Sequence, residues 1–141
     1  MQKKQLNYNV LLNKIGVSRG TCDLLCIYYD MLNYWNKKIN LVSRKSIETS
    51  WERHFLDSAQ LWLHLPYKAR KWLDFGSGAG FPALVLAVIS RELQPDLKLL
   101  PFGLAQVRGS LEQLFPPLIL PKMLQPLHCN LGGYKQLYLF S

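Results

Sequence analysis

The segment KWLDFGSGAGFPALVLAV, Lys71 to Val88, narrows the possible folds more than any other part of the chain. A short apolar run ends in glycines, and a second apolar stretch then begins behind Pro82. A strand that turns through a glycine loop into a helix opens a βαβ unit, with Pro82 suited to the first helical turn. "LKLL", ending at Leu100, reads as the second strand. The fold class predicted is therefore α/β, an incomplete Rossmann-like sheet preceded by a helical N-terminal extension.

The extension is read from its periodicity. Leu24, Leu25, Tyr28, Met31, Leu32 and Trp35 recur at three- and four-residue steps, which predicts an amphipathic helix from Thr21 to Lys38. Asp30, Asn33, Asn36 and Lys37 fall on its polar face. A second helical pattern, Ile47, Trp51, Phe55, Ser58, Ala59 and Trp62, follows the connector SRKS, where Ser46 is a candidate cap. A weaker helix is expected over Leu6 to Ile15.

Charge is unevenly divided. The net charge of the 141 residues is +8, and twelve Lys and Arg against five acids give +7 up to Trp72. The N-terminal half is thus the half suited to a polyanion, because clustered Lys and Arg neutralise phosphates and release counterions. The longest apolar run, Phe81 to Ser90, is half of what a bilayer crossing requires, and the chain opens with no secretory pattern. A cytosolic protein is expected. Cys22, Cys26 and Cys129 offer neither a disulfide framework nor a set of metal ligands, which predicts reduced, buried thiols and no metal site.

The glycine loop carries the candidate chemistry. Backbone N–H groups and the positive end of a helix dipole meet where such a loop enters a helix, and glycines let a nucleotide-like ligand approach closely. Gly76, Gly78 and Gly80 are spaced G-x-G-x-G, whereas the dinucleotide fingerprint needs glycine where Phe81 stands. That argues against NAD or FAD. Asp96, about the right distance onward for a ribose contact, precedes the second strand and so lies at its wrong end. Asp74, just ahead of the loop, is placed to organise the loop backbone or to reach a cofactor.

YYDMLNYWNKKINLVS, ERHFLDSAQL and LDFGSGAGFPALVLAV, in that order and at those separations, closely resemble the glucose-inhibited division protein B family. The resemblance covers about residues 1–100. It implies an S-adenosylmethionine-dependent methyltransferase acting on N7 of one guanine in bacterial 16S rRNA. Trp35, Asn36, Lys37, Asn40 and Leu41 match one family box, and Arg53, His54, Asp57 and Ser58 match another. Gly76 and Phe81 match cofactor-contacting positions, and Gly78, Gly80 and Asp74 join them as candidates. Lys37, Lys38, Arg44, Lys45, Arg53 and His54 are the candidate RNA-binding residues, with 16S rRNA or the small ribosomal subunit as partner. No catalytic base is assigned, because guanine N7 has a free lone pair and positioning supplies much of the acceleration.

Three parts follow: a basic helical extension over 1–70, a first βαβ unit over 71–100, and a divergent proline-rich tail over 101–141. Five of the eight prolines lie in that tail, and Glu112 is the only acid beyond Asp96. The family pattern, the acids and the periodicity are lost together, which is what a truncation or a frameshift near codon 99 would produce. Sequencing the locus tests this. Two other readings stand beside the methyltransferase: a non-catalytic remnant that binds RNA weakly, and a dinucleotide oxidoreductase, which Phe81 disfavours.

Overall fold

Ser18 and Glu92, far apart in the chain, together start the first long helix, α1, Arg19–Asn36. The computed structural model in which this is seen describes residues 9, 11–66, 69–75 and 78–102. Ser18 Oγ lies 3.5 Å from the Thr21 amide, a long cap. The stronger partner is the Glu92 carboxylate, which accepts from Ser18 N at 2.9 and 3.0 Å, Ser18 Oγ at 2.9 Å and Thr21 Oγ1 at 2.5 Å. An anion at a helix N-terminus satisfies free N–H groups and complements the dipole.

These bonds hold the Glu92 carboxyl below its ordinary value, the Thr21 hydroxyl contributing most; burial opposes it, and the two Ser18 groups add smaller contributions. A depressed carboxylate stabilises the fold above its unfolded value, and that contribution fades as pH falls through the folded one. We expect Glu92→Gln to cost roughly 1 kcal/mol at pH 7 in urea titrations. The difference from wild type should shrink as pH falls through the depressed value of Glu92 and its carboxylate is protonated; a gap unchanged by acidification would exclude the tether.

The helix itself matches its predicted extent to within two residues, but its buried face is displaced. Thr21, Cys22, Leu25, Cys26, Tyr28, Leu32 and Asn36 are buried, whereas Leu24, Met31 and Trp35 are half-buried. Asn36, expected on the polar face, turns inward because its Oδ1 accepts the Val42 amide at 2.8 Å and folds the connector back. Burial pushes the Cys22 thiol up to about 11, with smaller contributions from Cys26, Asp23 and Glu92, so it stays protonated. Cys129 and the tail, 103–141, lie outside the described residues, as do Gly76 and residues 6–8 and 10 of the first expected helix, within which Leu11–Ile15 forms a π-helical turn.

Next comes α2, Arg44–Ile47, and Ser43 rather than Ser46 caps it: Ser43 Oγ accepts the Ser46 amide at 3.2 Å, and Ser46 is buried inside the turn. A continuous helical rod then runs from 51 to 64, as a π-helical segment, Trp51–Leu56, then α3, Asp57–Gln60, and a 3₁₀ turn, Leu61–His64. It stops at Leu65, whose extended ψ of 131° is what a residue preceding Pro66 adopts.

Strands β1, Lys71–Phe75, and β2, Lys98–Phe102, pair in parallel, with Lys71 opposite Lys98 and Phe75 opposite Phe102. Between them α4, Ala83–Leu93, is buried continuously from Ala83 to Ser90, the mark of a core helix rather than a surface one. It packs against α1, α3 and β2. Trp72 and Asp74 of β1 face inward, while Leu73 and Phe75 on the other face are 48% and 73% exposed. The mixed α/β architecture with its helical extension is thus as the sequence implied.

Candidate functional site

The glycine loop lies at the carboxyl end of β1 and opens α4, the place where open α/β sheets bind ligands. Pro82 precedes the first helical residue as the cap instead of standing inside the first turn. Asp74 is buried, and its Oδ2 accepts the Ala83 amide at 3.1 Å. Of the two roles open to it in the sequence, this bond serves the first, fixing the loop's exit into α4.

The glycines divide by task. Gly78, at φ +48°, is exposed. Gly80, at φ +107°, is buried, and a Cβ there would lie 2.6 Å from Tyr28 Oη and closer still to the Leu84 side chain. Gly80 is therefore a packing glycine that lets two helices close on the turn. Gly76 lies outside the described residues.

Phe81 is held by aromatic rings from the extension. It stacks on Tyr28 at 5.4 Å between centroids and on His54 at 5.0 Å, and meets Phe55 edge-on at 5.1 Å. Tyr28 Oη donates to the Ala79 carbonyl at 2.7 Å, and burial raises the phenol's pKa, keeping it a donor. The role of Tyr28 on the loop escapes periodicity, which reads it as an apolar-face residue. The signal was its hydroxyl, since a buried tyrosine generally finds a hydrogen-bond partner.

The candidate RNA-binding residues do not form one class. Lys37, Arg44, Lys45 and Arg53 are exposed. Lys38 is exposed too, but its Nζ donates to Tyr34 Oη at 2.9 Å and lies over the rings of Tyr34 and Trp35 at 4.6 and 4.7 Å. His54 parts from its neighbour Arg53 and turns to Phe81; desolvation lowers its pKa, with Arg53 adding and Asp57 opposing. No helix among the described residues is long and apolar enough to cross a membrane, and none of their His, Cys, Asp and Glu side chains gather as a metal-binding group.

Comparison with known proteins matches residues 21–102, more than half of the chain, to the family described as GidB, rRNA small subunit methyltransferase G. The chain belongs to this family. The match ends at residue 102, close to where the family pattern breaks in the sequence. A ribosomal RNA small subunit methyltransferase G of Parvibaculum lavamentivorans is 54% identical over 77 residues, covering 55% of this chain and 34% of that protein. Its counterpart in Rhodospirillum centenum is 55% identical over 74 residues, covering 52% and 34%, and that in Paramagnetospirillum magneticum 48% over 89 residues, covering 63% and 42%. The chain thus spans between a third and about two-fifths of the length of these relatives. No solved structure matches it.

Proposed function

We propose that this chain carries the cofactor loop and the RNA-facing extension of a 16S rRNA guanine-N7 methyltransferase. The single observation that carries the reading is the placement of the loop: a glycine turn at the carboxyl end of a parallel strand, opening a core helix, with Gly78 exposed at positive φ. Those residues fit one edge of S-adenosylmethionine. Gly76, Gly78 and Phe81 would hold it, with Asp74 and Gly80 keeping the turn in shape.

S-adenosylmethionine, when bound, supplies an electrophilic methyl group on a sulfonium. Guanine N7, the acceptor proposed, already carries a free lone pair. No proton has to leave first. The work asked of the protein is alignment, so the transfer needs no general base.

Lys37, Arg44, Lys45 and Arg53 supply the charge that would position RNA through its phosphates, and Lys38 adds charge on an aromatic bed. Replacing Lys37, Lys38, Arg44 and Lys45 together by alanine is expected to flatten the slope of log K against log salt by about 3. An unchanged slope would remove the basic face from the account. The methyl-transfer test uses small ribosomal subunits lacking the modification and labelled S-adenosylmethionine. Label at guanine N7 supports the reading, and none, from a folded chain that binds both partners, removes catalysis.

A second reading, an RNA-binding module without turnover, draws on one observation. Asp96 precedes β2, at the end of the sheet away from the loop, so it is not placed to meet a cofactor ribose. The same methyl-transfer assay separates the two.

A further inference from the structure

His54 is a polar ring where packing alone would favour an apolar one. It stacks on Phe81 at 5.0 Å and 27°, beside fully buried Phe55, and its Nε2 is shut off from solvent with no hydrogen-bond partner. A buried nitrogen left without a partner calls for an explanation. The residue it touches is the last of the glycine turn, and the rest of that turn is held from α1 by the Tyr28 bond to the Ala79 carbonyl. Rings from two separate helical elements thus close on Phe81.

We propose that His54 is a positioning residue for the loop: its uncharged ring, stacked on Phe81, keeps the Gly78–Phe81 turn in place, and protonation of that ring releases it. In the imidazolium both nitrogens are donors, and Nε2 has no acceptor where it lies. Charging the ring therefore leaves a cationic donor buried without a partner and weakens the stack.

The charged neighbours do not compensate. On its own rod Asp57 favours the charged ring and Arg53 opposes it, and desolvation outweighs both. From α1 the facing titratable group is the Tyr28 phenol, kept neutral by burial. The segment from Gly78 to Ser90 contains no titratable side chain, and the Asp74 carboxylate of β1 is engaged by the Ala83 amide. A histidine held below its ordinary value contributes fully above about pH 6.5, and its contribution is lost as pH falls below that.

The test is amide hydrogen exchange of the segment Gly78 to Leu84 at pH 7.5 and 5.5, corrected for intrinsic rates, in wild type, His54→Ala and His54→Phe. At pH 7.5 His54→Ala should exchange this segment roughly three- to tenfold faster, the range that loss of one aromatic pair gives, while α1 stays protected. His54→Phe should match wild type. At pH 5.5 wild type should lose protection in the segment and His54→Phe should keep it.

Equal exchange in His54→Ala and wild type would overturn the proposal. So would an equal loss at pH 5.5 in wild type and His54→Phe, a comparison that holds even if the alanine variant fails to fold. Any effect on cofactor affinity rests on the function proposed above, so S-adenosylmethionine titration accompanies the exchange. Loop protection that follows residue 54 without cofactor binding upholds this inference and removes that reading.

Discussion

Phe55→Ala is expected to lower the unfolding free energy by about 3 to 5 kcal/mol, read as a shift of the urea midpoint with little change in slope. Phe55 is 1% exposed and joins the rings of Tyr28, Tyr29, Trp51 and Phe81 at centroid distances from 4.8 to 5.8 Å. Its removal leaves a cavity where α1, the 51–64 rod and the glycine turn meet. Domains of this size are stable by only about 5 to 15 kcal/mol, so the variant should lose a large share of its stability. A cost under about 1 kcal/mol would mean that the extension and the βαβ unit do not share this core.

Gly80→Ala should cost about 2 to 4 kcal/mol, a large effect for a single methyl group. Two causes add: φ +107° is a conformation that side chains rarely adopt, and the new Cβ meets Tyr28 Oη and the Leu84 side chain. Gly16, at φ +82° with nothing within 4 Å of its Cβ position, serves as the control. Gly16→Ala should show the backbone strain alone, roughly 1 kcal/mol. Equal losses at the two positions would show that the Tyr28 and Leu84 contacts carry no energy.

The βαβ unit was legible because each of its parts has a local signal: an apolar run, glycines at a turn, a proline at the helix start and a second apolar run. Where the reading slipped, a specific hydrogen-bond partner, near or far in sequence, decided the matter. Ser43 and Ser46 are equally good caps in isolation, and what separates them is that Ser43 Oγ accepts the Ser46 amide while Ser46 is buried. Asn36 is polar by composition, yet the Val42 amide draws it inward. The Glu92 clamp on Ser18 spans 74 residues, beyond the reach of any periodicity. The π-helical turn from Trp51 to Leu56 hides in a helical pattern that differs little from an α-helix over six residues.

At the site, motif order pointed to the family and to the loop, while the division of labour within it needed coordinates. G-x-G-x-G does not say which glycine faces outward. The structure makes Gly80 a packing residue and leaves Gly78 exposed. Arg53 and His54 are adjacent letters in one motif, but one faces solvent and the other faces Phe81.

The most direct measurement is isothermal titration of the chain with S-adenosylmethionine, beside Gly78→Asp. Gly78 is exposed at φ +48°, a region aspartate tolerates, so the variant should fold while placing a side chain and a negative charge where the cofactor would lie. The account predicts saturable binding by the wild-type chain, on the order of micromolar, and at least about a tenfold loss in Gly78→Asp, equivalent to 1.4 kcal/mol. Absence of heat from a folded wild-type chain, or equal affinity in the variant, would contradict a working cofactor loop.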